Sequence, residues 1–492
     1  MRDLHDLELL LGSTIPIIAI ETHEESRVVE LFRRAVVRSP KPFYHWTVTD
    51  GLRRLDRGVE PPAALREPTD LLLEIKNAGE PAIYLLSDFH PYLGDPVHVR
   101  LLRDIAQQRL LLGHTVVLVS HALDIPPEIS RSCARFALSV PDRDQLKSIV
   151  LEEARTWSRR NSGRNVRTRK QLLDRLIDNL RGLPEHDAKH LARGAIEDDG
   201  AITEEDLPAV MQAKFELLAR EGVLSYEYDT ARFAEVAGLE RLKQWLRLRE
   251  PIFAGTLSKP GLDIPKGILL LGVQGCGKSL AAKAVAGSWG LPLLRLDFGT
   301  LYNKYHGETE RNLRKALSQA ETMAPCVLWI DEIEKGLGTE GGDSGTSRRV
   351  LGSLLTWMAE NDARTFLVAT ANDIESLPAE LLRKGRMDEI FFVDLPDAET
   401  RRSILEIHMG KRELDAEKVD TQALAAACEG FSGAEIEQAV VSALYSSHAS
   451  GRPLDTGALL EAMRATRPLS VVMSERVEGL RAWAAERTVA AN

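Results

Sequence analysis

Residues 272–279 read Gly-Val-Gln-Gly-Cys-Gly-Lys-Ser, the spacing GxxxxGK[ST]. Apolar Ile268–Leu271 precedes the segment and helix-forming Leu280–Ala286 follows it, so the order is strand, glycine loop, helix, the context this motif requires. Glycines let backbone N–H groups turn inward around a β-phosphate, and the helix N-terminus adds the positive end of its dipole. Gly272, Val273, Gln274, Gly275, Cys276, Gly277 and Leu280 are candidate phosphate-loop residues; Lys278 would reach the β- and γ-phosphates and Ser279 would ligate Mg²⁺. About fifty residues on, apolar Val327–Ile330 ends in Asp331-Glu332. Asp331 would hold Mg²⁺, directly or through water, and Glu332 would polarise the attacking water, because phosphoryl transfer is mainly positioning and electrostatics.

Two further strand ends bear on the same chemistry. Thr365–Ala371 ends in Asn372, which can orient the water or touch the γ-phosphate, or can simply make an Asx turn. Leu381-Leu-Arg383-Lys-Gly-Arg386-Met-Asp388 carries two arginines three residues apart. They are either a solvated helix end or fingers for a neighbour's γ-phosphate, a role worth about 10³–10⁵ in rate in other NTPases. Cys276 lies beside Lys278 and a helix N-terminus, both of which lower a thiol pKa. The reading is an ATP-protected reactive thiol, or a small residue filling a tight loop.

The 492 residues exceed one ordinary core, so two or three domains are expected. Hydrophobic residues at 44%, charged residues at 28% and a net charge of −10 describe a soluble globular chain and argue weakly against nucleic acid as a partner. Cys133, Cys276, Cys326 and Cys428 are far apart and form no CxxC pair, which suggests neither zinc nor disulfides. No apolar run approaches membrane-spanning length, and acidic Asp3, Asp6 and Glu8 do not open a secretory signal; a cytoplasmic location is expected by elimination.

GxxxxGKS, Ile-Asp-Glu, Ala-Thr-Ala-Asn and LLRKGRMD, in that order over roughly 230–465, resemble the AAA branch of the AAA+ ATPases. The resemblance implies ATP and Mg²⁺ as cofactors and a homo-oligomer, a six-membered ring by family likeness. It makes Asn372 a sensor and Arg383 and Arg386 paired arginine fingers. Phe431-Ser-Gly433-Ala434-Glu435 is similar to the start of the lid helix that touches nucleotide, and Val236-Ala237-Gly238-Leu239 to the linker that packs on adenine, although Ala237 stands where the family has glycine. Lys304-Tyr305-His306-Gly307-Glu308-Thr309-Glu310 resembles the pore loop that grips an unfolded polypeptide, with Tyr305 at the gripping position and His306 in place of an aliphatic residue. Tyr305 is otherwise a core aromatic, but its polar neighbours argue against that.

The first half repeats the strand order without the chemistry. Ile15–Ile20 mirrors Ile268–Leu271, Ala82–Asp88 mirrors Val327–Asp331, Thr115–Ser120 mirrors Thr365–Thr370, and Arg135–Asp142 mirrors Ile390–Asp397. Where a phosphate loop would stand the chain reads Glu21-Thr-His-Glu-Glu-Ser-Arg27, whose like charge repels phosphate. Asp88 is followed by Phe89, and His121 replaces the strand-tip Asn. A degenerate, nucleotide-free copy is expected; an unrelated doubly wound domain is the competing reading. The whole layout resembles the ycf-type AAA proteins of algal plastids and bacteria.

The expected fold is α/β: a P-loop three-layer AAA+ core with a helical lid, preceded by the degenerate AAA-like α/β module. The expected domains are that module (1–200), a helical connector (201–230), the large α/β ATPase subdomain (231–397), the helical lid (398–467) and a C-terminal helical tail (468–492). Arg159–Lys170 holds six basic residues and no acid, a solvated loop or a grip on an acidic partner, without the aromatics of a stacking surface. The function implied is an ATP-driven protein remodeller or translocase. A regulatory adaptor working through the N-terminal module and a nucleic-acid-associated ATPase are the alternatives.

Overall fold

Alternating apolar residues set the layering of the first sheet. In the computed structural model, strand β1 (Ile17–Glu21) packs Ile17 and Ala19 against one set of helices and Ile18 and Ile20 against the other, as a strand covered on both faces must. The structure describes residues 2–37, 41–56, 65–218, 223–228, 236–255, 257, 259–302, 309–337, 344–374, 376–383, 385–414, 418–451 and 453–492. The chain divides into two compact units, 1–141 with 184–187, and 142–183 with 188–492.

In the first unit β1 is followed by β2 (Phe43–Thr47), β3 (Gly51–Arg54), β4 (Ile83–Ser87), β5 (Thr115–Ser120) and β6 (Cys133–Arg135). The sheet order is β3-β2-β4-β5-β1-β6, parallel except for β3 against β2. Leu71, Leu72 and Leu102 cover one face and Val28 and Phe32 the other.

The second unit opens with helices Arg143–Arg160 and Lys170–Asn179 and continues through Asp206–Leu218, around a core of Leu146, Leu176, Leu191 and Leu207. A short parallel ladder, β7 (Arg167–Thr168) with β8 (Ala201–Ile202), ties the bundle. The main sheet comprises β9 (Leu224–Glu227), β10 (Gly267–Gly272), β11 (Leu293–Leu296), β12 (Cys326–Ile330), β13 (Thr365–Ala371), β14 (Glu389–Val393) and β15 (Val489–Ala490), in the order β15-β14-β10-β13-β12-β11-β9. Leu269, Leu328 and Leu367 face one helix layer, and Ile268, Val327 and Val368 the other. Four helices, Ala398–Gly410, Thr421–Ala427, Gly433–Ser450 and Thr456–Ala465, enclose Leu405, Leu424, Ile436 and Leu459 as the lid.

The orders β6-β1-β5-β4-β2 and β14-β10-β13-β12-β11 are the same arrangement of five successive parallel strands. The mirrored helix starts match as well. Asp142 caps its helix by accepting from Gln145 N at 2.9 Å, and Asp397 by accepting from Thr400 N at 2.8 Å. The fold is therefore α/β, with one parallel α/β module preceding in sequence a second of the same strand order that carries the glycine loop and is followed by a helical lid.

Three details differ from the sequence reading. The first compact unit comprises 1–141 with 184–187 rather than all of 1–200, and the helix Asp206–Leu218 sends Leu207 and Val210 into the bundle core and Met211 and Phe215 into the core of the second sheet. The connector is not wholly helical: Leu224 and Tyr226, two apart, pack on the second sheet and make β9 its antiparallel edge. The tail is not wholly helical either, since β15 pairs with β14.

The bridging helix also buries a cation. Lys214 is fully buried, and its Nζ donates to Asn179 O at 3.0 Å and Arg181 O at 2.6 Å. Burial lowers its pKa from 10.5 to about 7. Between those values the unfolded chain carries the proton and the folded chain does not, so stability rises with pH. The urea stability of wild type minus that of Lys214→Met should therefore climb from about pH 7 up to the unfolded value of 10.5, by up to about 1.4 kcal/mol per pH unit. A flat difference would show Lys214 charged throughout.

Candidate functional site

β10 delivers the phosphate loop to the carboxyl edge of the second sheet. A side chain at Gly272 would place its Cβ 2.0 Å from Val393 O of β14, so the strands close only around glycine. At Gly275, φ is 79°, and a Cβ would lie 2.9 Å from Ser432 Oγ. The reason is that the lid helix presses on the loop: Ala434 N donates to Gly275 O at 3.1 Å, bringing Gly433 and Ala434 to it. Ser432 and Glu435 form the capping box that starts this helix. Val273 is buried, Gln274 exposed, and Cys276, Gly277 and Leu280 half-buried. The helix Lys278–Trp289 has no side-chain cap at Gly277, an end suited to an anion. Lys278 Nζ donates to Gly272 O and Val273 O, each at 2.8 Å. Burial brings its pKa down to about 8, which leaves it cationic at neutral pH.

Three strand ends meet at Asp331. Its Oδ1 accepts from Ser279 Oγ at 3.2 Å and from Thr370 Oγ1 at 2.7 Å, and Arg295 Nη2 stands 3.5 Å from Oδ2. Thr370 Oγ1 also accepts from Glu332 N at 3.0 Å, while Glu332 turns into the left-handed region at φ 49°. Asn372 Nδ2 donates to Glu332 Oε1 at 2.8 Å, and Lys335 pairs with the same carboxylate. Asn372 N donates to Glu334 Oε1 at 2.9 Å. Glu334 is buried, its carboxyl pKa is raised by that burial, and its Oε2 has no partner among the described residues. Ser279 and Asp331 offer paired hard oxygens of the kind Mg²⁺ takes, beside a glycine loop with no side chains to block backbone approach. The donor set thus fits a metal-bound nucleotide.

Thr370, Glu334 and Arg295 were not singled out by sequence, and Ser432 entered only as part of the lid-start motif. Thr370 was discoverable as the one hydroxyl in the apolar run Phe366–Ala369 and Ala371; Glu334 and Arg295 needed the fold. Arg383 is exposed, and half-buried Arg386 donates to Glu380 O; no described contact takes Arg386 to Asp331 or Glu332. Half-buried Ala237 adjoins Gly238, and Leu239 N donates to the Asn492 side-chain oxygen, so the linker is clasped by a residue far off in sequence. Tyr305 and His306 lie outside the described residues. Cys276 corrects an expectation: burial overrides Lys278 and pushes its thiol up to about 12.

Family models match four stretches: ATPase family associated with various cellular activities (AAA) over 268–395, SpoVK-like AAA ATPase N-terminal domain over 3–138, SpoVK-like AAA ATPase second domain over 144–221, and AAA+ lid domain over 418–471. The chain is similar to the uncharacterized AAA domain-containing protein ycf46 of Pyropia yezoensis, 35% identical over 99% of this chain and 98% of that protein. It is also similar to the protein of the same name from Guillardia theta, 35% identical over 98% and 95%. A fission-yeast (Schizosaccharomyces pombe) ATPase family gene 2 protein is 32% identical over 48% of this chain and 29% of its own length. No helix among the described residues is long and apolar enough to cross a membrane.

With a thiol pKa near 12, Cys276 should be alkylated by iodoacetamide at neutral pH more than about 100-fold slower than an ordinary free thiol, as read by peptide mass mapping. Modification at the ordinary rate would contradict its burial.

Proposed function

The chain belongs to the AAA ATPases, in the group of ycf46 relatives, and on that premise we propose that it hydrolyses Mg·ATP at the carboxyl edge of β10, β12 and β13 and, as a ring, does mechanical work on a protein client. The observation that carries this reading is the chain of contacts from Ser279 through Asp331 and Thr370 to Glu332 and Asn372. When bound, Mg·ATP supplies the phosphoanhydride and the charge of the metal. The loop Gly272–Gly277 and Lys278 hold the phosphates, and Ser279 and Asp331 hold the metal. Glu332 orients and polarises the attacking water, with its carboxylate aimed by Asn372. Glu334 is a positioning residue that fixes the Asn372 backbone. Arg383 and Arg386 act on the site of the next subunit, in keeping with the exposure of Arg383 and with Arg386 bonding to Glu380 O rather than to Asp331 or Glu332. Ala237, Gly433 and Ala434 border the base and phosphates. Four free cysteines suit a reducing cytoplasm.

Threading of the client through the ring rests on Tyr305 and His306. The adaptor alternative uses the ATP state to set binding by the first unit, and a nucleic-acid role would use Arg159–Lys170. Tyr305→Ala should abolish client-stimulated ATPase while sparing the basal rate if threading operates, and should change nothing under the other two readings.

Glu332→Gln should bind ATP and hydrolyse it very slowly, and in light scattering after size exclusion it should assemble only with Mg·ATP. Arg386→Ala should lose on the order of 10³ in turnover with ATP affinity retained. A Glu332→Gln protein that stays monomeric with Mg·ATP would leave both arginines without a target.

A further inference from the structure

The carboxyl edge of the first sheet carries chemistry of its own. In the second unit this edge holds the phosphate loop and Asp331; in the first, four adjacent strands each bring an imidazole to it or near it. His45 sits at the middle of β2 with its ring against Ser87 at the end of β4, His90 lies beyond β4, His121 directly beyond β5 and His23 just beyond β1. These are four of the chain's 12 histidines, drawn to one edge from four separate stretches of sequence.

Three ligand-bearing side chains converge there. One ligand atom each from Asp88, His90 and His121 lies within 4.8 Å of the other two. The His90 and His121 rings meet edge to face with centroids 4.7 Å apart, and His23 stacks on the other neighbour, His121, at 5.8 Å. Ser120 Oγ makes a hydrogen bond of 2.7 Å with His90 Nδ1 and donates to Asp88 Oδ1 at 3.3 Å, so one hydroxyl orients two of the three groups. Outer contacts of this kind hold metal-ligating side chains in place. Asp88 is itself held in the left-handed region at φ 52°, a conformation that Asp tolerates better than most residues. His90 is half-buried while Asp88 and His121 are exposed. A cleft lined by Thr22, His23, Glu25, Asp88, Ser120 and His121 therefore opens the group to solvent.

We propose that Asp88, His90 and His121 bind a first-row divalent transition metal, Zn²⁺ being the best match, with a further position open to His23 or water. Two imidazoles and one carboxylate are a recurrent set for such ions, and imidazole disfavours Mg²⁺ and Ca²⁺. Glu25, which lines this cleft, adds a negative charge that favours a cation, while Glu24 is engaged by Arg27. In this reading the degenerate module has kept its sheet and exchanged a hard oxygen set for a nitrogen-rich one.

The test uses the full chain, stripped with chelator and free of nucleotide, titrated with Zn²⁺ by calorimetry and with Co²⁺ by visible absorption. One equivalent should bind in the micromolar range or tighter, should withstand a large excess of Mg²⁺, and should give Co²⁺ the ligand-field bands of nitrogen ligation. Asp88→Ala, His90→Ala and His121→Ala should each weaken binding at least about tenfold, whereas His448→Ala, at an exposed histidine of the lid helix Gly433–Ser450, should not. Circular dichroism and the thermal midpoint in chelator show that each variant is folded. No Zn²⁺ binding by wild type, full displacement by Mg²⁺, or binding undiminished in all three folded variants would each overturn the proposal.

Discussion

Everything at the second sheet's carboxyl edge depends on where the Asp331 carboxylate is held. It stands at the end of β12, receives the Thr370 hydroxyl from β13 and the Ser279 hydroxyl from the helix after β10, and faces Arg295 of β11. Those groups come from four stretches of sequence. They meet because parallel neighbours end on the same edge, and because the order β10-β13-β12-β11 interposes β13 between the loop and the acid. The strands beneath are buried on both faces, so the edge sits on a packed base whose side chains have little room to shift. The Asp331 network in turn places Glu332: its amide is fixed by Thr370 and its carboxylate by Asn372.

The two sheets share one order of parallel strands and carry different chemistry. Both turn into the left-handed region just past the strand that follows in third place, at Asp88 and at Glu332. One edge then presents glycines, lysine and oxygen ligands, the other acids and imidazoles. Fold sets the positions, and the side chains at strand ends set what each position can do. The apolar alternation that builds the sheets places no demand on those end residues, which leaves them free to differ.

The lid and the linker are joined to the loop by contacts of long range in sequence. Gly275 is covered by Ser432 and Ala434, so the lid helix begins on the phosphate loop itself. The linker residue Leu239 is bonded to Asn492, and β15 next to it pairs with β14. The sheet is therefore bordered on one side by residues that precede the phosphate loop in sequence and on the other by residues that follow the lid.

By itself the sequence determined the ATPase core, because GxxxxGKS, Asp331-Glu332 and Asn372 are local patterns whose meaning depends on spacing along the chain. It also determined the hidden repeat, because strands buried on both faces must be continuous apolar runs wherever they occur. Only the tertiary structure decided how far burial reaches. Cys276 is a neighbour of Lys278 in sequence, but the desolvation that sets its thiol is three-dimensional. The same holds for the edge strand Leu224–Glu227, the support given by Thr370 and Glu334, and the gathering of His90 with His121. Each depends on which distant residues pack together, and short-range patterns carry no record of that.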